Sequence, residues 1–205
     1  MPRRNNHRPQ KPKAAETSTV RIIGGEWRGR KLSFPEIEGL RPTPDRVRET
    51  LFNWLQSYLP GARCLDLFSG SGALGIEALS RGAASVTFVD QASEVVSQLR
   101  SNINLLKAQN AEIIAASALD WLDNRQPDQE ARYDLVFMDP PFHKGLAAPI
   151  CEMLERRNLL REEAMIYIET EHSLTLDTLP ANWTLHREKT AGQVAYRLFV
   201  RQPSE

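Results

Sequence analysis

The sequence predicts a doubly wound α/β fold on a mostly parallel sheet, preceded by a small β-hairpin. Three observations lead there. From residue 63 onward, short β-rich runs alternate with helical patterns. Most of those runs are apolar throughout, as strands covered on both faces of a sheet must be. A glycine-rich turn follows the first of them and opens a helix. With 205 residues, 41% hydrophobic and 25% charged, the chain has enough apolar material for one domain and is far from a disordered composition.

Taken in order, residues 1–18 are rich in Pro, Arg, Asn and Lys, without periodicity, and read as a disordered basic tail. TVRIIGGEWRGRKLSF (19–34) reads as two strands around Gly24-Gly25, so residues 19–43 are expected to form a hairpin extension and 44–205 the main domain. Arg41-Pro42-Thr43-Pro44 is a rigid lead-in. Thr43 or Asp45 is expected to cap a helix in which Val47, Leu51, Trp54, Leu55 and Tyr58 recur at helical spacing, until Pro60-Gly61 ends it. The alternation follows: strand 63–68, a helix ending at Gly82, strand 85–90, helix 92–108, strand 111–116, short helix 118–124, strand 133–139, a helix near 146–157 and strand 163–169. Segments 183–189 and 193–201 have no helix between them and read as an antiparallel hairpin at the sheet edge.

The formal net charge is zero, but it is unevenly spread. Residues 1–50 hold twelve Lys/Arg and six acids, leaving the rest of the chain net negative. A basic end on an acidic body suits a polyanion-binding arm, since each cation meeting a phosphate releases counterions; a solvated tail is the plainer reading for residues 1–18. No apolar run reaches the length of a membrane helix, and MPRRNNHRPQKPK lacks the apolar stretch of a signal peptide, so a cytoplasmic protein is expected. Cys64 and Cys151 form no disulfide framework or zinc pattern, and no metal is expected.

Two motifs carry chemistry. Asp66-Leu67-Phe68-Ser69-Gly70-Ser71-Gly72-Ala73-Leu74-Gly75 sets G-x-G-x-x-G between a strand and a helix, and Asp90 closes the next strand. Glycines allow the tight turn and close approach of a ligand, and an acid at that strand end suits two ribose hydroxyls, so a nucleoside-containing ligand is expected. Asp66 repels a pyrophosphate and suits a cationic amine, such as the amino-acid part of S-adenosylmethionine, although bonding to backbone amides would also explain it. Phe68, Gly70, Gly72, Leu74 and Gln91 belong to the same candidate cofactor site. Ser117-Ala118-Leu119 is expected near the adenine, with ordinary packing the competing role for Leu119.

The second motif is Asp139-Pro140-Pro141-Phe142, directly after the apolar run LVFM. Ligands of open α/β sheets sit outside such strand ends. The prolines remove two backbone donors and stiffen the corner, leaving carbonyl acceptors free. Asp139 adds an anionic acceptor and Phe142 a flat face for a base, a stacking contact worth about 1–3 kcal/mol. Together they match an exocyclic amino group on a planar nucleobase.

These residues resemble a family. The tetrapeptide with the glycine turn is similar to class I, S-adenosylmethionine-dependent amino-methyltransferases. RIIGGEWRGRKLSFP, GLRPTPDRVRETLFNWL, CLDLFSGSGALGIEALSRGA, VFMDPPF and AGQVAYRLF resemble the bacterial 16S rRNA guanine-N2 methyltransferases of the RsmD type, from about Val20 to Phe199. The resemblance implies a seven-stranded sheet with the last two strands reversed, S-adenosylmethionine as cofactor, and a guanine N2 of 16S rRNA as acceptor, within the small ribosomal subunit or its assembly intermediate. It also implies that Thr43 and Arg46 lie near the methionine end of the cofactor, with Asp139 nearby. A helix N-cap explains Thr43 nearly as well.

The expected reaction is an in-line methyl transfer, with Asp139 and the Pro140 carbonyl orienting the amine and Phe142 holding an unstacked base. Trp27, Arg28, Arg30 and Lys31 are candidates to grip surrounding RNA, with structural packing the alternative for Trp27. His143 and Lys144 are further candidates to meet a phosphate, with a solvated loop the plainer reading. Glu152, Glu155, Arg156 and Arg157 read as solvated helix faces, and a monomer is expected. Competing functions are DNA adenine-N6 methylation, protein glutamine-N5 methylation, and a non-catalytic rRNA-binding assembly factor.

Overall fold

The computed structural model describes residues 17–37, 40, 42–125, 132–173, 175 and 178–203. The expected tail, apart from its last two residues, lies outside them, as does Arg41. Strands β1 (Thr17–Arg21) and β2 (Lys31–Pro35) pair antiparallel, with Thr19 opposite Ser33. Helix α1 (Asp45–Trp54) leads to β3 (Arg63–Leu67), α2 (Ala73–Ser80), β4 (Ser85–Asp90), α3 (Ser93–Leu106), β5 (Ala111–Ala115) and α4 (Ala118–Asp123). Then come β6 (Tyr133–Met138), α5 (Ala147–Arg156), β7 (Leu160–Glu171), β8 (Trp183–Ala191) and β9 (Val194–Arg201).

The main sheet has seven strands in the order β5-β4-β3-β6-β7-β9-β8. The first five are mutually parallel, and β9 is antiparallel to both β7 and β8. The last two strands thus exchange places, with β9 inside and β8 at the edge. Side chains alternate across the sheet with period 2. Cys64, Leu135, Phe137, Met165 and Tyr167 face the core beneath α1, α2, α3 and the hairpin. Leu65, Leu67, Val136, Met138, Ile166 and Ile168 face the core beneath α4 and α5. Val20, Ile22, Leu32 and Phe34 of the hairpin belong to the first core, so it is sewn into the domain.

Several expectations are corrected. Neither Thr43 nor Asp45 caps α1: Pro44 is the N-cap and no side chain bonds the exposed amides. Thr43 turns instead to an acid described below. Helix α1 stops at Trp54 and the chain tightens into turns, Tyr58 N–H donating to the Leu55 carbonyl at 2.9 Å. Tyr58 is therefore exposed rather than on the buried stripe, edge-on to His186. On α5, Glu155 is no solvated residue: it accepts from Trp183 Nε1 at 2.6 Å and pairs with Arg201 at 2.8 Å. Arg157 pairs with Asp123 at 2.6 Å, because α4 and α5 pack side by side. Glu152 and Arg156 are exposed as expected.

Candidate active site

The site grows out of where β3 and its two neighbours diverge. From β3 the chain continues to β4 on one side, while β6 lies on the other, so a crevice opens at their carboxyl ends. The glycine turn occupies that point. Phe68 takes φ 61° and Gly72, the N-cap of α2, takes φ 73°, a left-handed conformation that glycine adopts without cost. A Cβ at Gly75 would lie 2.3 Å from Phe88 Cε1 and 2.8 Å from Asp66 Oδ2, so only glycine lets α2 sit this close to the strands.

Two acids hold the turn in shape. Asp66 Oδ2 accepts from Gly75 N–H at 2.9 Å. Asp90 accepts from Gly70 N–H through Oδ2 and from Ala92 N–H through Oδ1, both at 2.9 Å. Each carboxylate also lines the cavity, so bonding to backbone amides and facing a ligand are compatible here.

The cavity is about 1010 Å³, ample for a nucleoside carrying an amino-acid chain. Thr43, Asp66, Phe68, Gly70, Leu74, Asp90, Gln91, Ala118, Leu119 and Asp139 all line it, as do Pro140, Pro141 and Phe142. Leu119 also packs on the second core, as its competing reading has it. Phe142 is 41% exposed, an aromatic face open at the cavity.

Two expected cofactor residues fall outside. Gly72 does not line the cavity; a Cβ there would strike Leu99 Cδ2 at 2.4 Å, and its positive φ shapes the turn. Arg46 is exposed on the first turn of α1 and is also absent from the wall. The buried arginine of α1 is Arg48, which donates to the Thr43 carbonyl at 3.2 Å, to the Arg21 carbonyl at 2.9 Å and to Asp45 at 2.6 Å. Half-exposed Trp27 packs on the first core, and its backbone N–H donates to Ser80 Oγ at 2.9 Å. Arg28, Arg30, Lys31 and Lys144 are exposed and outside the cavity; Arg30 also reaches the Leu105 carbonyl at 3.2 Å.

The motifs missed Glu169 and Tyr196. In register, Met138 pairs with Ile168 and Glu169 with Tyr196, so Asp139, Glu169 and Tyr196 sit side by side on the cavity floor. Glu169 is 5% exposed, and its Oε1 accepts from Thr43 Oγ1 at 2.8 Å and Tyr167 OH at 2.9 Å. The signal was present: Glu169 closes an apolar strand run as Asp90 does, but without a glycine or proline motif to mark it.

Three carboxyls thus converge in a low-dielectric place. Burial, and then Glu169 and Asp66, hold the Asp139 carboxyl well above the usual range. Burial likewise raises Asp66, against the lowering effect of its Gly75 bond, with Asp90 and Glu169 adding to the rise. Glu169 is pushed up to about 7 by burial, opposed by its bonds to Thr43 and Tyr167. Such a cluster favours a positively charged ligand, which relieves the mutual repulsion.

Comparison with known proteins agrees with this construction. The family model described as "Conserved hypothetical protein 95" matches residues 20–200. The chain is 50% identical over 193 residues to ribosomal RNA small subunit methyltransferase D of Escherichia coli K12, covering 94% of this chain and 96% of that protein. It is 52% identical over 182 residues to the Haemophilus influenzae protein of the same name, covering 88% and 93%. A solved Escherichia coli chain, assigned provisionally to the methyltransferases, superposes with a TM-score of 0.83 at 50% identity, over 91% of this chain and all of that one. The chain belongs to the ribosomal RNA small subunit methyltransferase D family.

Proposed function

We propose that this protein methylates the exocyclic N2 amino group of one guanine in 16S rRNA, presented by the small ribosomal subunit or an assembly intermediate. The observation that carries the reading is the position of Asp139-Pro140-Pro141-Phe142, which lines the same cavity as the glycine turn, Asp66 and Asp90. When bound, S-adenosylmethionine supplies a sulfonium-borne methyl group that leaves sulfur as the guanine nitrogen bonds to it, giving S-adenosylhomocysteine.

This chain's residues do the positioning. Asp90 would hold the ribose hydroxyls, and Ala118 and Leu119 would border the adenine. The buried carboxyls, Asp66 foremost, favour the cationic methionine end. A guanine N2 lone pair is delocalised into the ring and is a poor nucleophile. Hydrogen bonds donated by N2 to the Asp139 carboxylate and the Pro140 carbonyl favour pyramidalisation and aim the lone pair. Orientation of this kind is worth about 7–11 kcal/mol in well-aligned cases. Asp139, its carboxyl raised by burial and like charge, is placed to accept the proton the product nitrogen loses.

The target base must leave its stack to reach this depth, which a loop or bulge makes inexpensive, and Phe142 offers the replacement stacking surface. The exposed cations Arg28, Arg30, Lys31 and Lys144 are placed to meet neighbouring phosphates. The test is nucleotide-resolved mapping of small subunits from cells lacking the protein, before and after treatment with it and labelled S-adenosylmethionine. One new N2-methylguanine is expected. A methyl group on another atom, or cofactor binding without transfer, would remove the reading.

A further inference from the structure

Glu169 is unlike the other cavity acids. Asp66 and Asp90 spend oxygens on the backbone amides of the glycine turn. Glu169 has both its hydrogen bonds on one oxygen: Thr43 and Tyr167 donate to Oε1, and Oε2 has no hydrogen-bond partner among the described residues. Two donors from different elements, one of them 126 residues away in sequence, therefore hold the carboxylate in one orientation on the cavity floor. Tyr196 is its partner in register, and Asp139 directly follows Met138, the partner of Ile168. Both carboxyls line the same cavity, where Glu169 is the charge that acts most strongly on Asp139, so two acceptors face one space.

The chemistry of the bases selects among occupants. Adenine and cytosine carry a lone pair on the ring nitrogen next to the exocyclic amine, and uracil has no amine. Guanine alone presents two neighbouring donors, N1–H beside N2–H. A second carboxylate next to Asp139 would repel the lone pair of adenine or cytosine and accept the N1–H of guanine.

We infer that Glu169 is a specificity-determining residue that reads guanine through N1–H, while Asp139 and the Pro140 carbonyl take N2–H. This rests on the proposed guanine-N2 reading. A buried acceptor left facing a lone pair is the arrangement by which a site rejects an analogue strongly, by about 10⁴ where a built hydrogen bond is lost entirely.

The test uses small subunits reconstituted with 16S rRNA in which the mapped target guanine is replaced, one position at a time, by 2-aminopurine or 2,6-diaminopurine. Both analogues keep the 2-amino group and carry a lone pair at N1; they differ only at position 6. At pH 8.5, above the value of about 7 to which burial pushes the carboxyl, Glu169 is ionised. Wild-type protein is expected to lose at least 100-fold in kcat/KM on both analogues, to a similar extent. Glu169→Gln, whose amide can donate to N1, is expected to bring the three acceptors within about tenfold of one another while keeping its affinity for S-adenosylhomocysteine.

Equal use of guanine and either analogue by the wild type would overturn the assignment. So would a loss confined to one analogue, which places discrimination at position 6, or an unchanged preference in the variant. The wild-type comparison decides the matter even if Glu169→Gln fails to fold. Transfer to an atom other than guanine N2 would instead overturn the proposed function, and is seen in the mapping step before any analogue is made.

Discussion

Glu77 Oε1 accepts the backbone N–H of Gly24 at 2.7 Å, so the turn of the N-terminal hairpin is bound to the helix that follows the glycine loop. Its other oxygen accepts from Ile23 N–H at 2.8 Å, and the carboxylate pairs with Arg81 at 2.8 Å and with buried Arg48 at 3.6 Å. Arg48 in turn holds the Thr43 carbonyl. One fully buried acid thus fixes the hairpin, the helix behind the glycine turn and the segment that braces Glu169.

Glu77→Ala should therefore be far more damaging than its distance from the cavity floor suggests. It leaves Arg48 and two amides short of a partner, a loss of about 3–5 kcal/mol for a broken buried pair. The check is chemical denaturation, and a change under about 1 kcal/mol, the scale of an ordinary surface pair, would mean the network is incidental.

The carboxyl cluster predicts a pH effect that separates the two forms of the cofactor. A nearby cation favours ionised carboxylates, so binding S-adenosylmethionine should expel a proton below about pH 7, where the Glu169 carboxyl titrates. Affinity for S-adenosylmethionine should rise as pH climbs toward about 7, approaching about tenfold per unit for one proton released, and level off above that. S-adenosylhomocysteine, uncharged at sulfur, should show a shallower rise. Parallel calorimetric titrations with identical pH dependence would contradict this electrostatic reading.

The same shift has a cost in the free protein. Glu169 binds its proton more tightly folded than unfolded, so it opposes folding increasingly as pH rises from its ordinary range to about 7, and no further above that. The melting temperature of wild-type protein should fall over that window. Glu169→Gln should flatten the fall, and an equally steep curve in the variant would assign it to Asp66 or Asp139.

Asp139→Asn keeps the shape of the corner and removes its charge. We expect turnover on small subunits to fall at least 100-fold, with S-adenosylhomocysteine affinity within about threefold of wild type, because orienting an amine is a transition-state contribution. Loss of binding and turnover in equal measure would instead make Asp139 a cofactor-holding residue.

Replacing Arg28, Arg30 and Lys31 together should weaken rRNA binding and flatten its salt dependence, by roughly one unit of slope for each phosphate no longer neutralised. Arg30 also bonds the Leu105 carbonyl, so its single variant is expected to lower stability slightly. Binding measured from about 50 to 300 mM KCl with an unaltered slope would take these cations out of the interface.

Much of this was legible in the one-dimensional chain, for reasons of local physics. Alternating apolar runs and helical spacing prefigured the doubly wound sheet, because strands and helices have different periods. The glycine turn, Asp90 and Asp-Pro-Pro-Phe announced the cavity wall because glycine and proline restrict the backbone wherever they occur. The burial of Arg48 was not legible: it lies near the start of α1 as exposed Arg46 does, and only packing against the hairpin and Glu77 makes it the buried one. Glu169 shows the limit most clearly. An acid after an apolar run is visible in the sequence, but its place beside Asp139 comes from strand pairing across thirty residues, and its orientation from Thr43, 126 residues away. Covalent order carries turn chemistry and periodicity, whereas long-range hydrogen bonds and the sharing of charge among buried carboxyls exist only once the strands have met.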